Sequence, residues 1–216
     1  VVESDDHPRH REAIMPFADN YVFAPKAGSF NKSWAVNAGV MHTPGRNEVL
    51  CILDGDVLAD RDFVARNAER FRSPGVGGHL PYRKMSILDD ATTAWAIRER
   101  IQRRSAEAGP DHLRAFQLRR PPGCCLWVRT AIFERIGGMD ERFEGWGYED
   151  TDFLYRYDTA APFFNHDDWL LHMRHPPAPL IKDEEGEPVN ARIPAGTWRP
   201  DGPIGQLDRF ADQPAS

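Results

Sequence analysis

The chain holds three clusters of residues whose types and spacing can do chemistry. The apolar run Val49-Leu50-Cys51-Ile52-Leu53 leads into Asp54-Gly55-Asp56. Alternate residues of an extended chain face the same way, so both carboxylates can meet one ligand, and the glycine between them lets backbone approach closely. Carboxylate oxygens suit Mn2+ or Mg2+, ions that keep coordination positions for substrate phosphates. Asp-Gly is also a favoured turn dipeptide, so taken alone the motif reads more readily as a turn. The second cluster is His172-Met173-Arg174-His175, which follows Trp169-Leu170-Leu171. Spacing of i and i+3 puts both imidazoles on one side of a helical turn or tight loop, where either can complete a metal site begun by Asp56. Asp56, His172 and His175 are therefore the expected metal ligands, with Asp54 beside them on the substrate.

The third cluster is Gly145-Trp146-Gly147-Tyr148-Glu149-Asp150-Thr151-Asp152. Flanking glycines free the backbone to present the Trp146 indole, whose face can stack on the apolar side of a sugar ring. The acids then fall in the first turn of a helix continued by Phe153, Leu154 and Tyr157, where the helix dipole favours ionised carboxylates. Asp150 is placed to take a proton from an acceptor hydroxyl as its oxygen attacks an anomeric carbon, a single displacement with inversion. Glu149 would hold donor or acceptor hydroxyls. The plain alternative is that these acids only cap the helix.

Other positions add to a nucleotide-sugar reading. Glu3, followed by Ser4, Asp5 and Asp6, ends a short strand where an acid can hydrogen-bond a base or ribose, or simply form a solvated turn. Phe30 and Lys32 can offer stacking and positive charge to a uridine diphosphate, although Phe30 also suits a core. Gly123 lets backbone run close to a donor sugar. The adjacent Cys124 and Cys125 read as packing, since no partner spacing supports a nucleophile or a zinc site.

The elements that must position these residues alternate. Strands are expected at Val1 to Glu3, Tyr21 to Ala24, Val49 to Leu53, Val76 to Leu80 and Cys124 to Val128. Helices are expected after a Ser29 cap through Trp34 and Ala38, after Asp60 or Asp62, over Asp90 to Ala106, and from Thr130 to the Gly137-Gly138 stop. This alternation gives an α/β layered domain with ligands beyond the carboxyl ends of its strands. After His175 prolines interrupt every period, so residues 178–216 are expected as an extended arm on a catalytic domain of residues 1–177.

Composition bounds the partners. A net charge of -6 supplies no basic stripe for nucleic acid. No apolar run approaches the roughly 20 residues of a membrane span. Three cysteines without a framework spacing point to a reducing, cytoplasmic setting. The start at Val1, without Met or a leader, reads as an N-terminus from which earlier sequence is missing.

Taken together, Phe30-Asn31-Lys32 with Asn37 and Gly39, Asp54-Gly55-Asp56, Gly145-Trp146-Gly147-Tyr148-Glu149-Asp150 and His172 to His175 follow the order seen in GT-A glycosyltransferases. The sequence resembles the β-1,4-galactosyltransferase family and bacterial family 2 transferases of the chondroitin-polymerase type, over roughly residues 1 to 177. The resemblance implies a Rossmann-like GT-A domain with a mixed, mostly parallel central sheet. It also implies Mn2+ on Asp56 and His175, sugar contact by Trp146 and Asp150 as catalytic base. Two departures stand out: that family has methionine where this chain has His172, and glycine where it has Tyr148. The expected activity is metal-dependent, inverting transfer of a hexose or N-acetylhexosamine from a UDP-sugar to the hydroxyl of a carbohydrate or other acceptor. A retaining N-acetylgalactosaminyltransferase-like enzyme, or a non-catalytic binding module of the same fold, is the alternative. A nucleotide-sugar pyrophosphorylase should carry a Gly-rich basic loop near its start, which this chain lacks.

Overall fold

The computed structural model describes residues 1–45, 47–101, 113–119, 121–176 and 178–211. In chain order its elements are β1 (Val2–Asp5), α1 (Arg11–Ile14), β2 (Val22–Pro25), α2 (Lys32–His42), β3 (Val49–Leu53), β4 (Val57–Leu58), α3 (Phe63–Arg70), β5 (Gly78–Leu80) and β6 (Lys84–Leu88). They continue with α4 (Asp90–Ile101), β7 (Ala115–Arg119), β8 (Cys125–Arg129), α5 (Thr130–Arg135), α6 (Glu149–Ala160), β9 (Phe163–Asn165) and β10 (Leu170–His172). The chain divides into two compact units. One comprises Val1–Asn47, Phe133–Tyr157 and Ala178–Ser216, the other Glu48–Ile132 and Asp158–Pro177.

In the first unit β1 and β2 pair in parallel, and α2 packs so closely that a Cβ on Gly39 would lie 2.3 Å from the Val2 side chain. The cap of α2 is Asn31 and not the expected Ser29: Asn31 Oδ1 accepts from Trp34 N–H at 2.8 Å, because the helix opens at Lys32 and leaves Ser29 outside its first turn. Trp34, Ala24 and Ala38 form a core joined by Val2, Leu207 and Phe210, with Phe210 edge-on to Trp34 at 4.8 Å. Residues of the proline-rich segment thus close this core, and Trp198 and Asn190 are buried as well. Asn37, fully buried on α2, donates to Met139 O and Glu141 Oε1 at 2.9 Å each and accepts from Met139 N–H at 2.9 Å. Those bonds fix the chain that follows Gly137-Gly138 and leads to the tryptophan loop.

The second unit contains two four-stranded sheets, ordered β4-β10-β6-β7 and β3-β8-β5-β9. Pairing is mixed. Including β1–β2, parallel pairs number three of seven among the described residues, so the expected parallel majority is corrected: β8 runs against both of its neighbours, β3 and β5. Despite its apolar sequence, β3 is an edge strand among the described residues and exposes Cys51 and Leu53. Leu88, Ala96 and Leu171 make a core between α4 and the sheet containing β6 and β10. Asp89 Oδ1 accepts from Thr92 N–H at 2.8 Å and starts α4, and the expected continuation of that helix to Ala106 lies outside the described residues. Asp62 stands at the N-cap of α3 without a side-chain cap bond, while Asp60 accepts from Arg66 at 2.7 Å.

The register between β4 and β10 sets His172 opposite Val57, and this places the residue before Val57 beside the histidine segment. Asn37 has the corresponding positioning duty in the first unit. Truncating it leaves the Met139 amide and carbonyl and one Glu141 oxygen short of a buried partner. Asn37→Ala is expected to cost about 3 kcal/mol of that unit's stability. Urea unfolding checks this, and a loss below about 1 kcal/mol would show that the loop holds without the amide.

Candidate functional site

In the second unit Asp56, His172 and His175 converge, each offering one ligand atom, with all three atoms within 4.8 Å of one another. Asp54-Gly55-Asp56 is a turn and not an extended strand end: Val57 N–H reaches back to Asp54 O at 3.3 Å. The turn reading is thus observed, and it does not exclude the metal-ligand reading. Met173 N–H donates to Asp56 O at 2.8 Å and clamps the turn against the chain leaving β10.

The imidazoles are oriented by their own backbone. A carbonyl can only accept, so His172 Nδ1–H donates to Met173 O at 2.9 Å and His175 Nδ1–H donates to Pro176 O at 2.7 Å. This leaves each Nε2 facing Asp56 Oδ2, at 3.5 Å from His172 and 3.1 Å from His175. Two nitrogen lone pairs and a carboxylate oxygen that close repel unless a cation stands among them, either protons on nitrogen or a metal ion. Asp56 Oδ1 is buried with no hydrogen-bond partner among the described residues, a second oxygen whose demand a cation can meet. His175 remains half-exposed, so the cluster is open to solvent on one side.

Asp54 stands next to a strained turn. Gly123 has φ +86° and Cys124 φ +58°, and Cys125 N–H bonds Gly123 O at 2.6 Å across the tight bend. Asp54 N–H donates to Cys124 O at 2.9 Å, and the Tyr82 hydroxyl donates to Gly123 O. The sequence-expected Gly123 and Asp54 are thereby brought together. All three cysteines are free thiols; Cys125 is buried, Cys124 partly so and Cys51 exposed.

In the first unit the Gly145-Trp146-Gly147-Tyr148 loop enters α6. Gly145, Gly147 and Tyr148 all have left-handed φ values, +67°, +105° and +77°. At Gly145 a side chain is excluded twice, by that φ and by the Ile181 side chain 2.9 Å from where a Cβ would sit. Gly145 N–H donates to Phe30 O at 2.8 Å, which sets the two expected aromatic contact segments side by side. Phe30, Trp146 and Tyr148 are each about half-exposed, at 51%, 58% and 48%. Asn190 Nδ2 donates to Glu144 O and Gly147 O at 2.8 and 2.9 Å, and Glu144 N–H donates to its Oδ1. This positioning residue was missed in the sequence, since nothing in a proline-rich segment marks one asparagine as a bridge.

Lys32 Nζ lies 3.0 Å from Asp150 Oδ2, so the cation expected on a diphosphate is here engaged with the candidate base. Asp152 is committed elsewhere, to Arg156 at 2.8 Å and Gly196 N–H at 2.7 Å. Glu149 is buried, with Oε2 lacking a partner among the described residues. Burial first, and then the neighbouring Asp150 charge, push its carboxyl up to about 7, against the opposing pull of Lys32. Glu3 forms a separate knot: its carboxylate accepts from Arg9 N–H at 2.8 Å, His10 N–H at 3.1 Å and the Tyr21 hydroxyl. Burial acts to raise its pKa, but these donors prevail and hold it below the usual value. A base or ribose would have to exchange for them.

The raised Glu149 pKa has a stability consequence. Between its ordinary value of 4.5 and about 7 the folded chain keeps a proton that the unfolded chain has lost. Stability from this group is therefore whole below pH 4.5 and declines as pH rises through 7. Glu149→Gln removes the titration, and relative to wild type it should gain on the order of 3 kcal/mol between pH 4.5 and pH 8. Parallel urea curves at the two pH values, showing equal slopes of stability against pH, would refute the burial account.

Residues 114–161, which include β7, β8 and the tryptophan loop, match the family model described as the N-terminal domain of galactosyltransferase. A comparison with curated proteins finds no match. Among solved structures the chain is similar to the Pyrobaculum calidifontis mannosyltransferase PcManGT in complex with GDP-mannose and Mn2+, at 16% identity and TM-score 0.50, covering 79% of this chain and 46% of that one. It is also similar to Drosophila β-1,4-galactosyltransferase 7. The catalytic domain with xylobiose gives 16% identity, TM-score 0.42 and coverage of 76% and 63%. A mutant with manganese, UDP-galactose and xylobiose gives 15% identity, TM-score 0.46 and coverage of 81% and 70%. The chain thus spans between 46% and 70% of the length of these structures. Alternating α/β elements, mixed sheets and the mannosyltransferase likeness together give the chain the GT-A glycosyltransferase fold.

Proposed function

We propose that the protein is a metal-dependent, inverting glycosyltransferase that moves a hexose or N-acetylhexosamine from a UDP-sugar to an acceptor hydroxyl. The observation that carries this reading is the convergence of Asp56, His172 and His175 into a cation-demanding cluster. Two imidazoles and one carboxylate favour Mn2+, because Mg2+ prefers an all-oxygen shell. When bound, such an ion would neutralise charge on the diphosphate leaving group.

The chain's own residues supply the rest. Lys32 pairs with Asp150 as a carboxylate, the form that accepts a proton. As the acceptor oxygen bonds to the anomeric carbon, its proton passes to Asp150 and the sugar–phosphate bond breaks, its electron pair leaving with the nucleotide. Glu149, its carboxyl pushed up to about 7, can in its protonated form donate a hydrogen bond to a sugar oxygen. Trp146 and Phe30 offer exposed aromatic faces for sugar and base.

Two variants separate these roles. Asp150→Asn should lower kcat by about 100- to 10,000-fold while UDP affinity in the presence of Mn2+ stays near wild type, and retained turnover would remove it as the base. Asp56→Ala should abolish the Mn2+-dependent rise in unfolding midpoint that UDP gives, measured beside GDP and with EDTA as the metal-free control. A rise with GDP alone would overturn the UDP assignment, and an undiminished rise in the variant would overturn the metal site.

A further inference from the structure

The antiparallel register of β6 and β7 sets Lys84 directly opposite Arg119. Side chains so placed have Cβ atoms about 5 Å apart, and like charges there repel. Arg83 comes next in the chain and is held by Asn165 O at 3.2 Å and by Asp167 at 3.4 Å. These four exposed side chains line an open surface depression of about 360 Å³, three cations against one carboxylate. Among the described residues neither Lys84 nor Arg119 has an acidic partner. The chain as a whole carries -6, so this is a local concentration of positive charge and not a general one.

The cluster is distinct from the metal centre. Side chains alternate along β6, so Lys84 and Ser86 share one face while Ile87 shares the other with His172, its partner across β10. Lys84 also lies three residues from the level of His172, roughly 10 Å along the strand. Two guanidinium groups and an ammonium around an open depression match the planar or tetrahedral oxygens of an oxoanion, which guanidinium binds through paired N–H groups.

We propose that Arg83, Lys84 and Arg119 form a binding site for an oxoanion, the sulfate, phosphate or carboxylate group of a ligand, separate from the metal centre. The site removes the Lys84–Arg119 repulsion when occupied, which gives the anion its affinity. It does not depend on the transferase reading.

The test is calorimetric titration of the full chain with inorganic sulfate, inorganic phosphate and a monosulfated disaccharide, each against chloride at matched ionic strength. Saturable binding is expected for wild type. The exposed double variant Lys84→Ala/Arg119→Ala should weaken it at least about ten-fold while leaving Mn2+ affinity unchanged. Arg119→Lys, which keeps charge but loses the paired N–H groups, should fall between the two. Tighter binding of the sulfated disaccharide than of free sulfate would assign the anion to a saccharide, and equal binding to the free ion. Absence of saturable binding for all three, or binding the double variant leaves intact, would overturn the site.

Discussion

Buried asparagine amides hold the first unit's working loop in place. Asn31 caps α2 and also donates to Glu141 O at 2.8 Å, Asn37 bonds Met139 and Glu141, and Asn190 bonds Glu144 and Gly147. A stretch with several left-handed residues cannot join a sheet or helix, so its amides and carbonyls need partners from elsewhere. A carboxamide serves both kinds, since it donates and accepts from one side chain without adding charge. Because Lys32 is the first helical residue after the Asn31 cap, these bonds also set where its ammonium meets Asp150.

The second unit solves its positioning problem with backbone. A short antiparallel pairing puts Asp56 beside the end of β10, and two main-chain carbonyls fix the tautomers of His172 and His175. Holding the outer nitrogen in this way points the inner one and raises its basicity toward a metal. No side chain outside the cluster is needed for that orientation.

The candidate clusters stand out in the sequence because each sits on a short, local pattern: an apolar strand before Asp54-Gly55-Asp56, glycines around Trp146, two histidines after Leu171. Local pattern also gave most of the elements. It failed where long-range pairing decides. Nothing in Cys125 to Arg129 says that this strand will run against both neighbours, and nothing in Val49 to Leu53 says it will lie at a sheet edge. Residues 178–211 read as an extended arm because proline breaks periodicity, yet Leu207, Phe210 and Trp198 are apolar anchors and Asn190 is a bridge. Proline rules out regular structure without ruling out packing. Lys32 shows the same limit for charge: sequence marks a cation but not which anion it will meet.

Two adjacent acids at one helix start would ordinarily behave alike, and their surroundings separate them. Asp150 has an ammonium at 3.0 Å, whereas Glu149 is turned into a buried position where ionisation must proceed without solvent and beside a charge already present. Burial comes first in raising the Glu149 carboxyl, the Asp150 charge adds to it, and Lys32 pulls the other way.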